Sequence, residues 1–363
     1  MMTNYNVLPL AELNHIERIS PSHYSELKSC KLKVILQANR YGSLMPTSPS
    51  ARLGEIAHRL LQIAVTDGLD ESTLQASWDT TCKEVEQEMA ENPLEKHLVP
   101  LESSASNFEV KKSMLLTMLN KMNKKSIAPK EEVTTSEAES WYETKDGKVG
   151  GIMDLVMYTD SGAEIIDYKT GAILDTDPDN ANLPKLEYQQ QLKLYAALFH
   201  EVKNEWPHLL ILKGLDQKQY EIRFTKEECL DLLASAKNDL DDINRRISEN
   251  TKPEEFASPS PGACKYCIFR PSCSAYWKQR KDGKDWPNDV IGEIKENKKL
   301  EDGLHLIIIQ NEQKVSVIRG LSIERYNFLN KDVKTALFCN LSIDPTEGFY
   351  VDNMLTVGYQ IDK

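Results

Sequence analysis

The sequence lacks any apolar run of the roughly 20 residues that a membrane span needs. Its first residues, Met1 to Leu10, also lack the basic and then apolar order of a signal peptide. Positive charge is in deficit, since the formal net charge is −12, and this argues against a protein that coats nucleic acid through overall charge. These features predict a globular, cytoplasmic protein that does not bind a membrane. A local basic groove is not excluded.

The chain has seven cysteines, an odd number. Both this number and a reducing compartment argue against a disulfide framework. Cys82 and Cys229 lie in helical patterns and Cys339 in a strand pattern, where a buried free cysteine is the usual outcome. The other four form one distant residue followed by a C-x2-C-x5-C group: Cys30, Cys264, Cys267 and Cys273. Cysteines clustered in this way are typical metal ligands, and four thiolates suit either a zinc ion or an iron–sulfur cluster.

The first third of the chain has helical patterns and the middle has a strand pattern. Helices are predicted over 21–40 and 51–66, and further helices over 71–125, with breaks at Pro93 and Pro100. From Glu137 the apolar period changes to two, which predicts an antiparallel meander of three strands: 141–143, 148–158 and 164–169. The patterns then predict a helix, a hairpin and a second helix: 186–200, 209–224 and 226–248.

The length of 363 residues allows two domains. We predict a first domain over residues 1–278, with a helical insertion at about 71–130, and a polar linker over 279–286. Residues 287–363 are predicted to form a small β-rich domain, for which a barrel is one form. Its short β-like runs are 304–310, 314–318, 336–343 and 354–359.

A basic segment lies in the last part of the predicted helical insertion. Its lysines are interleaved with apolar residues at helical spacing: Lys111, Lys112, Lys121, Lys124, Lys125 and Lys130. Such a pattern is typical of a solvated helix face beside an apolar stripe, and it is also a candidate for a local nucleic-acid groove.

Two carboxylates and one ammonium are expected to converge on adjacent strands of the meander. Side chains alternate between the two faces of a strand, so Asp154 lies on the same face as Ile152 and Val156. On the next strand, Asp167 and Lys169 likewise share one face. An unpaired carboxylate among apolar neighbours is costly to bury, and a divalent cation such as Mg²⁺ or Mn²⁺ removes that cost. Lys169 would then help to position or deprotonate an attacking water. For this triad alone, a structural salt bridge remains an alternative.

Five sequence elements occur in the order found in one nuclease family. They are Gly54-Glu55-Ile56-Ala57-His58, Gly151-Ile152-Met153-Asp154, Asp167-Tyr168-Lys169-Thr170-Gly171, Gln191-Leu192-Lys193-Leu194-Tyr195 and the four cysteines. This arrangement resembles the PD-(D/E)xK nuclease superfamily over about residues 20–275. The branch it most resembles is the RecB-like nucleases with an iron–sulfur cluster, such as the AddB nuclease domain and the CRISPR-associated RecB-like exonucleases.

The resemblance implies an α/β fold of the restriction-endonuclease type, with a mixed β-sheet core flanked by helices. It implies that His58, Asp154 and Asp167 bind the metal ion, with the main-chain carbonyl of Tyr168 as a further ligand. The catalytic residues implied are Asp154, Asp167, Lys169, Gln191 and Tyr195. An imidazole ligand makes Mn²⁺ as plausible as Mg²⁺.

In this family the glutamine and tyrosine of the helix orient the catalytic lysine and the substrate strand. Gln191 and Tyr195 lie one helical turn apart, although Gln189 and Gln190 offer alternative registers. The resemblance also implies that the four cysteines bind a [4Fe–4S] cluster rather than zinc. We expect that cluster to have a structural role, because it would close a very long loop. One departure is Lys31, which stands where relatives often have proline.

The resulting hypothesis is a metal-dependent deoxyribonuclease. The family suggests an exonuclease that prefers single-stranded DNA or DNA ends and works in DNA repair, recombination or phage defence, beside a helicase or another such protein. An alternative is a non-catalytic iron–sulfur subunit that binds DNA in a helicase–nuclease or defence complex. The presence of Asp154, Asp167 and Lys169 argues against it. A zinc-containing hydrolase acting on another kind of substrate is a third hypothesis.

Overall fold

The computed structural model describes residues 8, 10, 12–66, 69, 72–125, 135–177, 180–281, 283, 285–312 and 314–361. In these parts of the chain the α-helices are, in order, α1 Tyr24–Ser29, α2 Lys31–Ala38, α3 Pro49–Thr66, α4 Leu74–Glu91, α5 Leu101–Ser104, α6 Phe108–Lys125, α7 Leu186–Lys203, α8 Lys226–Ser248, α9 Pro261–Lys265 and α10 Ser274–Gln279. The strands are β1 Thr135–Glu143, β2 Gly150–Thr159, β3 Gly162–Lys169, β4 Leu209–Gly214, β5 Gln219–Glu221, β6 Val290–Lys299, β7 His305–Gln310, β8 Val315–Leu321, β9 Thr335–Cys339, β10 Ser342–Ile343, β11 Tyr350–Val351 and β12 Val357–Gln360.

These elements belong to two compact units. The five-stranded unit consists of His15–Lys28 and Thr47–Glu249. The seven-stranded unit consists of Ser29–Pro46, Asn250–Lys363 and the segment before His15, each as far as it is described. Two mixed sheets with flanking helices confirm the predicted α/β class. Among the described residues, no helix is both long and apolar enough to span a membrane.

The sheet of the five-stranded unit has the order β1-β2-β3-β4-β5. The predicted meander is confirmed, because β1, β2 and β3 pair antiparallel. Strand β4 pairs parallel with β3 because α7 carries the chain back along the sheet between them. Helix α7 is buried against this sheet through an apolar face that includes Leu192 and Phe199, and Phe199 stacks on Tyr142 of β1 with ring centroids 6.0 Å apart.

Helix α8 spans the residues predicted for it and begins at a capping box between Thr225 and Glu228. The helices before the sheet are interrupted between Asn92 and Pro100, as the two prolines predicted. Trp78 of α4 and Phe108 of α6 meet edge to face, with ring centroids 5.7 Å apart, so these two helices share an apolar contact. The interpretation of this helical region as an insertion remains a prediction.

The prediction of one continuous helix over 21–40 is wrong in one respect. A short 3₁₀ turn and α1 end at Ser29, and Cys30 has φ −159° and ψ 103°, which is an extended conformation. Helix α2 then starts at Lys31. The break between the helices falls at Cys30, the first of the four clustered cysteines. Cys30 is the N-cap residue of α2.

The sheet of the seven-stranded unit has the order β10-β11-β8-β7-β6-β9-β12. Its apolar core includes Ile307, Ile318 and Phe338. Each of the four predicted β-like runs overlaps a strand, and the third overlaps both β9 and β10. Strand β6 was not predicted, because its second half is polar and exposed. The predicted domain boundaries and the barrel remain predictions.

Candidate active site

Asp154 and Asp167 lie on neighbouring antiparallel strands. Pairing of Leu155 with Ile166 and of Val156 with Ile165 fixes the register between β2 and β3. The Oδ2 atom of Asp154 accepts a hydrogen bond of 2.7 Å from the main-chain N–H of Tyr168. The first carboxylate is therefore tied to the strand that carries the second one.

Lys169 and Gln191 surround the carboxylate of Asp167, which is 2% exposed. The Nζ of Lys169 lies 2.7 Å from Asp167 Oδ2, so the salt bridge considered from the sequence is present. That Nζ also donates to Oε1 of Gln191 at 2.9 Å, and Nε2 of Gln191 donates to Asp167 Oδ1 at 2.9 Å. Helix α7 thus holds the lysine and the aspartate through a single amide side chain.

Of the glutamines considered from the sequence, Gln191 is the one that faces the carboxylates. Gln191 is buried and its Nε2 also donates to the hydroxyl of Tyr195 at 3.4 Å, whereas Gln189 donates to the main-chain carbonyl of Pro184. Gln191 and Tyr195 therefore lie at the carboxylates, and Gln189 is engaged elsewhere. Tyr188 lies in the same helix, and its ring centroid is 4.7 Å from the Nζ of Lys169.

His58 comes from α3 and lies within electrostatic reach of Asp167 and Lys169. Burial lowers the pKa of its imidazole and Lys169 lowers it further, while Asp167 raises it. The net lowering favours the neutral imidazole, which is the form that binds metal ions. His58, Asp167 and Lys169 are therefore brought together from two separate elements, α3 and β3.

Burial controls the ionisation of both aspartates. It raises the pKa of Asp154 to about 6, although the Tyr168 N–H and Lys169 lower it. It likewise raises the pKa of Asp167 to about 6, with Lys169 lowering it and Asp154 raising it. Two carboxylates of the same sign within reach of each other in a poorly hydrated site are costly to ionise together.

Glu139 is a third carboxylate that the sequence motifs did not reveal. It lies in β1 between Ala138, which pairs with Leu155, and Ser140, which pairs with Met153, so the register puts it opposite Asp154. Its φ is +45°, in the left-handed region that non-glycine residues rarely adopt. Burial raises its pKa, and its charge contributes to the raised pKa of Asp154.

The donors at this site suit a hard divalent cation. The Oδ2 atom of Asp167 is buried and lies 2.7 Å from the Nζ of Lys169. The angles of this contact are not those of a hydrogen bond, so the oxygen is paired by charge alone. Two carboxylates with raised pKa values and a neutral imidazole are a set that Mg²⁺ or Mn²⁺ would stabilise. As the side chains stand, no group of three or more His, Cys, Asp or Glu within the described ranges is arranged to hold a metal ion. The Tyr168 carbonyl remains a predicted ligand.

The four clustered cysteines all belong to the seven-stranded unit. Cys30 precedes α2, Cys264 lies in α9, and Cys273 precedes α10, where its Sγ accepts the Tyr276 N–H at 3.4 Å. Burial raises the pKa of the thiols of Cys264 and Cys273, to about 11 and about 12, and Cys30 raises both further. It also raises the pKa of Cys267, and Cys30 adds to that shift. The four thiols that the spacing suggested thus lie within electrostatic reach of one another, but among the described residues they are not arranged to hold a metal ion, and the cluster remains a prediction.

A buried arginine supports the loop that carries two of these cysteines. Arg270 is 1% exposed, and its Nη1 donates to the main-chain carbonyls of Cys264 at 2.7 Å and Lys265 at 2.5 Å. Its Nε lies 3.0 Å from Oδ2 of Asp289, which neutralises the buried guanidinium. Sequence patterns did not single out this arginine, because its partners are main-chain atoms and two side chains that are distant in sequence, Asp289 and Asn340.

Gly54 explains how α3 comes close enough to bring His58 to the site. A methyl group at Gly54 would lie 2.9 Å from Oγ1 of Thr170, just after the end of β3. Under the nuclease hypothesis, we expect Gly54→Ala to push α3 away from Thr170 and to lower DNA cleavage about tenfold, although alanine is the better helix former by about 1 kcal/mol. Steady-state cleavage rates and thermal unfolding would measure the two effects.

The control for Gly54→Ala is the double variant Gly54→Ala/Thr170→Ala, which removes the hydroxyl that the new methyl group would meet. We expect it to recover the activity of Thr170→Ala alone. If Gly54→Ala cleaves at the wild-type rate, close packing at this point does not position His58.

A family model described as the PD-(D/E)XK nuclease superfamily matches residues 18–274. The match includes every motif on which the resemblance was based, from the Gly54–His58 helix to Cys273. No curated protein matches the sequence with significance. The RecB-like branch within the superfamily remains a prediction.

Proposed function

Because the chain belongs to the PD-(D/E)XK nuclease superfamily, we propose that it is a metal-dependent deoxyribonuclease with its active site at Asp154, Asp167 and Lys169. The observation that carries the proposal is the network at Asp167, in which Lys169 and Gln191 contact the two oxygens of one buried carboxylate. A salt bridge alone does not require the glutamine, the neutral histidine and the two further carboxylates that lie around it.

Asp154, Asp167 and His58 would hold the divalent cation, with the Tyr168 carbonyl as a further ligand; superfamily members usually use Mg²⁺ or Mn²⁺. Such an ion supplies an activated water and stabilises negative charge on the phosphoryl oxygens. The chain's own part is to fix the positions of these groups. Gln191 holds the ammonium of Lys169, which is then ready to neutralise phosphate charge or to transfer a proton.

Tyr195 supports the same arrangement from the next turn of α7. Its buried hydroxyl accepts a hydrogen bond from Nε2 of Gln191, and burial raises the pKa of the phenol, so it is neutral at working pH. The role we propose for Tyr195 is therefore to orient Gln191 and the substrate strand.

The proposed substrate is single-stranded DNA or a DNA end, cleaved exonucleolytically. Support comes from helix α6, whose residues Lys111 and Met114 line the same cavity as Lys169. Helical side chains so close to the catalytic lysine leave room for one strand more readily than for a duplex. The resemblance to RecB-like nucleases further suggests a helicase or another repair, recombination or defence protein as partner.

We also propose that Cys30, Cys264, Cys267 and Cys273 bind a [4Fe–4S] cluster with a structural role. The support is their electrostatic proximity, the burial of Cys264, the half-buried positions of the other three and the Tyr276 N–H directed at Cys273. A cluster would compensate the cost of thiolates that water reaches poorly and would hold the segment that begins at Ser29 to the segment that follows Asn250.

The test is cleavage of DNA labelled at either end, in single-stranded and double-stranded form, by protein purified without oxygen. We expect degradation with Mn²⁺ or Mg²⁺ and none with EDTA, with faster loss of single strands. The end from which the label disappears gives the polarity.

A catalytically impaired control for this assay is Lys169→Met, prepared in the same way. Cleavage that persists equally in Lys169→Met would come from a contaminant and would overturn the assignment of the site. Wild-type protein that binds DNA but does not cut it with either metal would instead support the non-catalytic DNA-binding subunit.

A further inference from the structure

A cavity of about 380 Å³ opens beside Lys169 in the five-stranded unit. Three elements contribute to its lining: helix α6, the segment that follows β3, and the β4–β5 hairpin. Its volume lies in the range of about 300–1,000 Å³ that is typical of pockets for small molecules. A pocket of nucleotide size therefore adjoins the proposed catalytic lysine.

The lining combines apolar walls with positive charge. Apolar side chains come from Met114, Ile173, Leu174 and Leu215, and Tyr220 contributes an aromatic ring. Two lysines, Lys111 and Lys169, also line the cavity from two different elements, and the ammonium of Lys169 is held by Asp167 and Gln191. This mixture matches a nucleoside 5′- or 3′-phosphate, which has a flat apolar base at one end and an anion at the other.

The main chain approaches the cavity at Gly171 and Gly214. A methyl group at Gly171 would meet no atom within 4 Å, so the backbone there is open to a ligand. A methyl group at Gly214 would lie 2.6 Å from Oδ1 of Asp216, so a side chain at that position would crowd the hairpin. Asp216 itself lines the cavity from the hairpin that carries Tyr220, and Lys218 engages its carboxylate, with the main-chain N–H 3.1 Å from Oδ1 and the Nζ 3.4 Å from Oδ2.

Lys111 belongs to the basic segment predicted from the sequence. Within α6, Lys111 lines the cavity, whereas the Nζ of Lys112 lies 5.5 Å from the ring centroid of Trp78. Lys121 is exposed on the same helix. The side chains of Lys124 and Lys125, and all of Lys130, lie outside the described residues. The segment is therefore not one uniform basic face, and Lys111 is distinguished by its place in the cavity.

We propose that this cavity binds one nucleoside of the DNA strand next to the phosphate that is cleaved. Tyr220 and the aliphatic walls contact the base and sugar, and Lys111 binds the phosphate on the far side of that nucleoside. The proposal rests on the proposed nuclease function and adds to it a defined subsite for the substrate.

The kinetic test compares Lys111→Met and Tyr220→Leu with wild type on a single-stranded oligonucleotide. We expect each variant to raise KM about tenfold with kcat within about twofold, because each removes a binding contact and no catalytic group. Lys111→Met should also reduce the slope of log affinity against log salt concentration by about one. The matched control is Lys121→Met, which removes an exposed lysine from the same helix and should leave KM and the salt slope unchanged.

An oligonucleotide with one abasic position tests the contact with the base. Wild type should lose about tenfold in kcat/KM when the abasic position adjoins the cleaved bond, and Tyr220→Leu should lose little more. If the abasic position lowers kcat/KM of Tyr220→Leu by the same factor as that of wild type, the base does not contact Tyr220. Wild-type KM in both Lys111→Met and Tyr220→Leu would overturn the subsite while leaving the nuclease function intact.

A binding experiment separates failure of the subsite from failure of the nuclease function. Thymidine monophosphate is titrated into metal-free protein in EDTA, with inorganic phosphate as a second probe. Saturable binding that is lost in Lys111→Met and retained in Lys121→Met supports the subsite even if wild type cleaves no DNA. Equal affinity for inorganic phosphate would reduce the site to an anion site and overturn the nucleoside assignment. Absence of nucleotide binding in wild type would overturn the subsite as well.

Discussion

Asp154→Asn is expected to lower DNA cleavage by about 1,000-fold or more and yet to make the metal-free protein more stable than wild type at neutral pH. The asparagine Oδ1 can accept the 2.7 Å hydrogen bond that Tyr168 N–H now donates to Asp154, so the local structure is retained. What disappears is a buried negative charge beside Glu139 and Asp167. Function and stability therefore respond to this substitution in opposite directions.

The sign of the pH dependence follows from the raised pKa. Burial raises the pKa of Asp154 from 3.8 to about 6, so the folded state favours the protonated carboxyl. The protonated carboxyl of Asp154 therefore adds to the stability of the folded state. This contribution is complete below about pH 3.8 and is lost as pH rises through about 6. The difference between a pKa of 3.8 and one of about 6 corresponds to about 3 kcal/mol at most, at about 1.4 kcal/mol for each factor of ten in the protonation equilibrium. The asparagine of the variant does not ionise, so the stability advantage of the variant should grow between pH 4 and pH 7.

Chemical unfolding in EDTA at several pH values between about 4 and 8 measures this advantage. The control is Asp160→Asn, since Asp160 is an exposed carboxylate in the β2–β3 turn and its removal should change neither activity nor stability. Addition of Mn²⁺ should stabilise wild type and leave Asp154→Asn almost unaffected. A variant that retains more than a tenth of wild-type activity, or whose advantage shrinks as pH rises, would contradict the role of Asp154.

The parts of the site that could be predicted from the sequence are those that depend on short-range periodicity. Alternation along β2 and β3 was enough to infer that Asp154 and Asp167 approach each other, and the observed pairing of Val156 with Ile165 has that register. The one-turn spacing of Gln191 and Tyr195 was likewise enough to put both side chains on one face of α7. Which of three consecutive glutamines points inward depends on how α7 packs on the sheet, so the sequence left it open.

The parts that could not be predicted depend on pairing between distant segments or on unusual backbone conformations. Glu139 reaches the site because β1 pairs with β2 and because its φ is +45°, and neither property is readable from the residues around it. Strand β6 has a polar second half, yet it pairs on both sides, with β7 and with β9. Arg270 supports the cysteine loop through two main-chain carbonyls, and main-chain acceptors leave no trace in the sequence.

The second large effect is expected at the four clustered cysteines, where Cys267→Ser should remove the iron of the proposed cluster and destabilise the seven-stranded unit. A serine hydroxyl is a poor replacement for the buried thiol of Cys267, whose sulfur also has the main-chain N–H of Phe269 as a partner. Without the cluster, the segment of Cys30 is no longer joined to that of Cys264, and the entropy of a very long open loop is restored to the unfolded chain. Structural metal sites contribute on the order of 10 kcal/mol to folding, so loss of this one should lower Tm by more than about 10 °C.

The measurement for Cys267→Ser combines iron, sulfide and zinc content with limited proteolysis of protein purified without oxygen. The matched control is Cys82→Ser, because Cys82 is a half-buried, isolated cysteine in α4 of the five-stranded unit and should not affect metal content. Wild type that contains one zinc and no iron would retain a structural metal site but contradict the iron–sulfur assignment. A Cys267→Ser protein that contains no iron, resists proteolysis and cleaves DNA like wild type would show that folding of this unit does not depend on the cluster. Loss of iron together with protease sensitivity, while Cys82→Ser behaves as wild type, is the result that the proposed structural cluster predicts.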